Sequence, residues 1–219
     1  MPPPVIVLAT RNAGKVREFA ALLAELPVKV ASLDQVDPRR QIPEPAEEGG
    51  TFAENARHKA AYYARATGSW ALADDSGLKV DALEGAPGVY SARFAAQECP
   101  PGASREVIDQ ANNARLLRLL KDVSDPRRTA RFVCHLVLHD GRRLLIETTG
   151  VFEGRIGYTP AGGGGFGYDP LFFLPQLGCT SAQLPPRRKN RLSHRGQAAR
   201  QLALRLRELL EGGPGPVVR

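Results

Sequence analysis

Cysteine is scarce in this chain. Its 219 residues hold three, Cys99, Cys134 and Cys179. They are odd in number and lack a CxxC pair or a Cys/His ligand spacing, which argues against a disulfide framework or a structural zinc site and points to a reducing compartment. Long apolar runs are missing too. No stretch approaches the roughly 20 apolar residues that span a bilayer. Met1 to Thr10 carries prolines but neither a basic segment nor a cleavage-like site, so a soluble, cytoplasmic protein is expected. Aromatic residues make up only 6% of the chain and do not interleave with its arginines, unlike a platform for single-stranded nucleic acid. No segment repeats at a fixed period. Neither glycine-rich segment matches GxGxxG after a first strand or GxxxxGK[ST], which argues against dinucleotide and P-loop binding.

What remains is a chain long enough to bury its own core, as one domain or two small lobes, with a formal net charge of +7. Much of the surplus lies in Arg127, Arg128, Arg131, Arg142, Arg143 and the stretch from Arg187 to Arg195. A nucleic acid would draw such a surface, but so would the polyphosphate of a single nucleotide, and a solvated arginine-rich face needs no partner at all. Charge alone decides nothing.

Hydrophobic periodicity orders the elements. Val5 to Ala9 reads as a strand closed by Thr10, Asn12 and Gly14, and Val16, Phe19, Leu22, Leu23 and Leu26 then recur at helical spacing. Val28 to Ala31 is a second short strand. A loop rich in Pro and Gly follows, carrying Glu44, Glu47 and Glu48, and Phe52 to Thr67 is an alanine-rich helix stopped by Gly68. Trp70 to Ala73 reads as a buried strand ending in a turn at Asp74, Asp75, Ser76 and Gly77, with Leu78 to Val80 resuming the sheet. Gly85 to Gly102 is an ordered loop and Asn112 to Val123 a helix. Thr129 to Leu138 and Arg142 to Val151 are two strands about an Asp140-Gly141 hairpin turn. Gly162 to Gly167 leads into the apolar run Leu171 to Leu174, Ser193 caps a closing helix to about Leu210, and the tail from Gly212 is expected to be disordered. Crossover helices together with a hairpin make an α/β protein with a mixed sheet.

Four constellations carry polar chemistry. Thr10, Arg11, Asn12, Ala13, Gly14 and Lys15 turn from the first strand into the first helix, where amides, a hydroxyl and an ammonium suit phosphate oxygens. Taken alone they are also what an ordinary helix cap requires. Asp74, Asp75 and Ser76 stand at the end of an apolar strand, where open α/β sheets place reactive groups, and Mg2+ is commonly held by one or two carboxylates plus substrate phosphates. Neighbouring aspartates on a strand point to opposite faces and so take different roles, unless they merely form a polar turn. Glu44, Glu47 and Glu48 offer a further ligand. In Gly164 to Pro170, glycines admit a ligand close to the backbone, Phe166 can stack on a base and Asp169 can accept from a purine N–H. Lys189, His194 and Arg195 lie about the start of the last helix, where cations suit a polar base or a phosphate.

In identity and order these segments resemble the inosine triphosphate pyrophosphatase family, the pyrophosphatases of non-standard purine nucleoside triphosphates. The resemblance runs from Val5 to about Leu206 and includes Thr51-Phe52, Glu54-Asn55-Ala56, Lys59, Gly85 to Arg93, Asn113 and Pro160-Ala161-Gly162. It implies a long bent mixed sheet with two α/β lobes, within residues 1–211, a nucleotide cleft between them and a homodimer. It further implies hydrolysis of ITP, dITP or XTP to the monophosphate and pyrophosphate, with Mg2+ as cofactor and no nucleic-acid polymer or membrane as partner. By the same match Thr10 to Lys15 bind the triphosphate, and Asp75 is the catalytic base and a magnesium ligand, with Glu47 or a neighbour completing the metal site. Asp74 and Lys59 support that centre, and Ser76 touches substrate. Phe166, Gly167, Tyr168, Asp169, Lys189, His194 and Arg195 receive the purine, Phe166 by stacking and the others by reading its 6-oxo edge. Gln183, Pro185, Pro186, Arg187 and Arg188 depart from the family's more acidic pattern.

Two rival functions stay open at the level of sequence. A nucleic-acid-binding module predicts steeply salt-dependent binding of polymers. A related pyrophosphatase acting on modified pyrimidines is separable only by a substrate panel.

Overall fold

Short apolar strands alternate with helices through the first third of the chain, as the periodicity predicts. The computed structural model describes residues 4–24 and 26–212; of the tail expected from Gly212 on, residues 213–219 fall outside them. β1 (Val5–Leu8) leads into α1 (Ala13–Leu23), β2 (Lys29–Ser32), α2 (Leu33–Val36), α3 (Phe52–Thr67) and β3 (Trp70–Val80). Then come α4 (Arg105–Leu119), β4 (Thr129–His139), β5 (Leu144–Ile156), β6 (Phe172–Leu174), β7 (Cys179–Thr180), α5 (Pro186–Leu192) and α6 (His194–Leu210). The strands form a mixed sheet in the order β2-β1-β3-β4-β5-β6-β7, parallel across β2-β1-β3 and antiparallel across β5-β6-β7. The described residues fall into two units, the first of residues up to Asp75, Cys134–Gly150 and those from Arg195 on, the second of Ser76–Val133 and Val151–His194.

In the first unit, side chains alternate across the sheet. Ile6, Leu8, Leu72, Cys134 and Leu136 pack with Phe19 and Leu23 of α1 and with Ala198, Leu202 and Leu206 of α6. Val7, Ala71, Ala73 and Val137 pack instead with Ala56, Ala60 and Tyr63 of α3. That helix has the predicted bounds because both its ends are marked in the sequence. Thr51 and Glu54 form a reciprocal capping box at the start, and Gly68 ends it at φ 64°.

The second unit is built around Leu78, Val80, Leu116, Leu120, Phe132, Phe152, Ile156, Leu171 and Phe172. Arg128 is fully buried beside this core. Its guanidinium donates to the carbonyls of Leu120 (2.7 Å), Ile156 (2.8 Å) and Gly157 (3.0 Å) and lies 4.2 Å from the Tyr158 ring centre. One cation thus gathers carbonyls just past the end of α4 and at the end of β5, that of Leu120 also accepting from the Val123 amide at 3.0 Å.

The structure corrects several predicted elements. Asp74 to Gly77 make no turn, for β3 runs unbroken through them; the two carboxylates find side-chain partners, and strand pairing overrides local turn preference. Gly77 then allows a close approach, since a Cβ there would stand 2.4 Å from Ser91 Oγ. α4 starts at Arg105 behind a Ser104 cap and ends at Leu119, not Asn112 to Val123. Its first three residues, Arg105, Glu106 and Val107, are exposed, and its buried residues, Asn112 and Leu116, lie from its middle onward. β5 begins at Leu144 and extends past Val151 to Ile156, and α1 stops at Leu23, leaving Leu26 to pack from the connection. α2, β7 and α5 are too short for periodicity to show. α5 nevertheless explains part of the departure from the family pattern, because Pro186 takes its first position, where a missing N–H costs nothing.

Replacing Arg128 by Met keeps apolar bulk but removes a donor from each of those carbonyls, of which that of Leu120 keeps the Val123 amide. Each buried group left without a partner costs about 1 to 3 kcal/mol, and neighbouring losses overlap. R128M should lower the unfolding free energy by about 3 kcal/mol in urea melts, and a loss under about 0.5 kcal/mol would show that the guanidinium is dispensable.

Candidate active site

Asp74 and Asp75 hold consecutive positions of β3 and therefore face opposite sides of the sheet. Asp74 shares the side of Leu72, toward α1 and α6. Lys15 Nζ lies 2.7 Å from its Oδ1, and Arg195 Nε lies 3.5 Å from its Oδ2. Glu18, one turn after Lys15 on α1, accepts from Arg195 Nη1 at 3.3 Å. Cys134 Sγ stands 3.8 Å from Asp74 Oδ2, and burial pushes this thiol well up, so it is a packing group and not a nucleophile.

Asp75 shares the side of Ala71 and Ala73, toward α3. Asn55, buried on that helix, donates through Nδ2 to Asp75 Oδ2 at 3.0 Å and accepts through Oδ1 from the Gly49 amide at 2.8 Å. A single amide side chain thus ties the acidic loop to the strand. One turn further along α3, Lys59 pairs with Glu47. Of the three acidic candidates, Glu47 is half-buried while Glu44 and Glu48 are exposed. Burial pushes the Asp75 carboxyl up to about 6, against the pull of Lys59 and the Asn55 hydrogen bond, and Glu47 and Asp74 add to the rise. Burial opposes the Lys59 ammonium, but Glu47, with Asp75 and Asp74 beyond it, holds that group above its ordinary value.

The carboxylates on this side outnumber their cation. Asp75 and Glu47 offer hard oxygens and surplus negative charge, a donor set that fits Mg2+, which takes few protein carboxylates and leaves the rest of its shell to water and phosphate. Among the described residues no three His, Cys, Asp or Glu side chains are grouped to hold a metal ion. A divalent ion here would need oxygens from elsewhere, as a bound phosphate supplies.

The turn from Thr10 to Lys15 is ordered from within. Asn12 Oδ1 accepts from the amides of Gly14 (2.9 Å) and Lys15 (3.1 Å), and Thr10 Oγ1 accepts from the Asn12 amide at 3.2 Å. These bonds perform the capping role. Arg11 reaches away to Asp34 at 2.7 Å and Asp37 at 2.6 Å. Asp37 also accepts from the amides of Gln41 and Ile42. The Ile42 amide first, then Gln41 and Arg11, hold its carboxyl below the ordinary range against the opposing effect of burial. Arg11 therefore braces the turn against α2 and the approach to the acidic loop, while Lys15 is the cation of the turn that meets Asp74.

In the second unit, Asp169 is buried and accepts from the Phe166 amide at 2.8 Å, from Ser181 Oγ at 2.8 Å and from Lys189. Gly167 is held from α4, its amide donating to Asp109 at 3.0 Å and its carbonyl accepting from Asn113 at 2.9 Å. Tyr168 belongs to the core, its hydroxyl donating to the Ser91 carbonyl at 2.9 Å and its phenol pushed up by burial. The Phe166 ring is 45% exposed. His194 is buried and stacks on Phe132 with centroids 5.0 Å apart. Ser76 follows Asp75 in β3 and is half-buried.

Sequence reasoning missed three residues of these clusters. Asn55 lay within a matched segment but is uncharged and drew no attention. Glu18 was legible, because a residue three after Lys15 shares its helix face. Ser181 carried no signal, since only folding brings it to Asp169.

The Ham1 family profile matches residues 6–204 of the chain. A protein named dITP/XTP pyrophosphatase from Vibrio vulnificus (strain YJ016) is 48% identical over 205 residues, covering 93% of this chain and 96% of that protein. Another of that name, from Nitratidesulfovibrio vulgaris, is 51% identical over 204 residues, covering 92% and 95%. Among solved structures, a HAM1 protein from Coxiella burnetii superposes with a TM-score of 0.81 at 39% identity, covering 94% of this chain and 99% of that one.

Folded, Asp75 keeps its proton up to about pH 6, whereas an unfolded aspartate releases it near about pH 4. Between those values the folded state binds more protons, so the stability Asp75 contributes at low pH is lost as pH rises through its folded pKa. In metal-free protein, D75N should therefore exceed the parent by up to about 3 kcal/mol at about pH 8, the gap closing toward about pH 4. Urea melts in a chelator measure this directly. A variant less stable than the parent at the higher pH would overturn the under-compensated carboxylate.

Proposed function

The chain belongs to the Ham1 family, and from that premise we propose that it hydrolyses non-standard purine nucleoside triphosphates, ITP, dITP and XTP, to the monophosphate and pyrophosphate. The relatives' activity supports the reading, and the observation that carries it is the split between Asp74 and Asp75. One carboxylate is matched to Lys15 and Arg195, while the other shares an acid-rich pocket with Glu47, Lys59 and Asn55.

In this reading Asp75 and Glu47 would hold Mg2+, which when bound would neutralise phosphate charge. Asp75 takes the proton of the water that attacks the α-phosphorus. The new O–P bond forms as the bond to the β-phosphate bridging oxygen breaks, pyrophosphate leaves, and the proton passes from Asp75 to solvent. Lys59 keeps Glu47 in place. Lys15, braced by Asp74, stabilises the charge that grows on the leaving pyrophosphate. The rest of the turn from Thr10 to Gly14 shapes the approach, and Ser76 lies beside the reacting phosphate.

Phe166 stacks on the purine, with Gly167 and Tyr168 holding the loop behind it. Lys189, His194 and Arg195 direct donors to the 6-oxo group. An amino group in its place leaves a donor unpaired, which costs about 1 to 3 kcal/mol. Asp169 acts through Lys189 and Phe166, since its carboxylate is taken up by the loop. Residues 1–211 act as one domain, and the working form is a cytoplasmic homodimer with no nucleic-acid polymer as partner. No helix among the described residues is long and apolar enough to cross a membrane.

Pyrophosphate release across ITP, dITP, XTP, GTP, ATP and dUTP, with and without Mg2+, tests the reading. ITP, dITP and XTP should lead, only with the metal, and D75N should lower kcat for ITP by about 10² to 10⁴-fold in a folded protein. Near-parental turnover in D75N would remove Asp75 from the chemistry.

R195A should lower the ITP-to-ATP ratio of kcat/KM about tenfold, because a donor aimed at a carbonyl contributes only when that carbonyl is present. K15A, at the end common to all triphosphates, should depress every substrate alike. An unchanged ratio in folded R195A would make Arg195 a partner of Glu18 and Asp74 only.

A further inference from the structure

The turn Ser181–Gln183 underlies the glycine-rich loop. Thr180 Oγ1 donates to the Ala161 carbonyl at 2.7 Å, the Gly164 amide to the Ala182 carbonyl at 3.0 Å, and the Ala182 amide to the Asp169 carbonyl at 3.2 Å. These bonds hold the loop's backbone without the Ser181 side chain. The Ser181 hydroxyl has a different partner. It is 1% exposed and donates to Asp169 Oδ1, while Asp169 Oδ2 is divided between the Phe166 amide and Lys189.

The fit around this carboxylate leaves little freedom. A Cβ at Gly165 would stand 2.1 Å from Asp169 Oδ2 and 2.6 Å from Lys189 Nζ. Lys189 Nζ in turn stands 5.4 Å from the centre of the Phe166 ring. An aspartate carboxylate turns softly about its last torsion, so its orientation is set by whichever donors meet its two oxygens. Without the hydroxyl, Oδ1 loses its donor in a dry pocket, and the carboxylate turns to share Lys189 through both oxygens.

We infer that Ser181 is a specificity-positioning residue: its hydroxyl fixes the orientation of Asp169, and through it the place at which Lys189 and Phe166 meet a purine. The inference rests on the reading that Phe166 and Lys189 receive the base. It predicts a defect in binding a 6-oxo purine, not in the chemical step.

The experiment compares the parent, S181A and S181C by steady-state kinetics with ITP and ATP, by calorimetric titration with inosine monophosphate, and by thermal melting. Alanine deletes the donor, and cysteine keeps the shape with a weak one. Both variants should raise KM for ITP about five- to tenfold and weaken inosine monophosphate binding in parallel, with kcat within about twofold and a clearly smaller rise in KM for ATP, which meets Phe166 but offers no 6-oxo group to Lys189. Parental KM for ITP in either folded variant overturns the inference, as does an equal loss with ITP and ATP, which marks a purely structural role. A parent without preference for ITP over ATP removes the underlying reading and the inference with it; a parent that prefers ITP, beside variants with parental kinetics, removes the inference alone.

Discussion

Two consecutive carboxylates inside a buried strand form the constraint on which the rest of the molecule turns. A charge withdrawn from water must be paired, hydrogen-bonded or neutralised, and alternation along β3 forbids Asp74 and Asp75 to share one set of partners. Each side of the sheet therefore supplies its own. α1 and α6 bring Lys15 and Arg195 to Asp74, and α3 brings Asn55 and Lys59 toward Asp75. The helices packed on the strand are placed by apolar contacts, but their polar ends are chosen by these carboxylates.

The two answers differ in completeness. Asp74 meets two cations, with Glu18 closing the cluster. Asp75 meets an amide and the field of a lysine already committed to Glu47, and burial prevails, lifting it to about 6. A carboxylate so held is suited to accept a proton near neutrality, and the surplus negative charge around it suits a divalent ion.

The glycine-rich loop shows the same device with the opposite result. Asp169 is buried like the others, but a hydroxyl, an amide and an ammonium all meet it. A satisfied buried carboxylate is a rigid part. It holds the Phe166 amide and the Lys189 ammonium in fixed places.

By itself the sequence determined the elements with strong local signals. Phe52–Thr67 is marked at both ends by cap and stop, the Asp-Gly pair makes the β4-β5 hairpin, and the continuous apolar runs of β1 and the start of β3 mark buried strands. It also carried the motifs Thr10 to Lys15, Asp74 to Ser76, Phe166 to Asp169 and Lys189 to Arg195, since residue type and order survive in one dimension. Only the tertiary structure decided which of these groups meet. A turn was expected at Asp74 to Gly77 because those residues favour turns in isolation; pairing with neighbouring strands and side-chain partners from α1 and α3 made it strand. Arg11 stands in the turn after β1, and only folding brings Asp34 and Asp37 to it. Ser181 reaches Asp169 across a chain separation over which local propensity says nothing. Whether a buried charge is balanced is a sum over every element packed around it, and that sum exists only once the chain has folded.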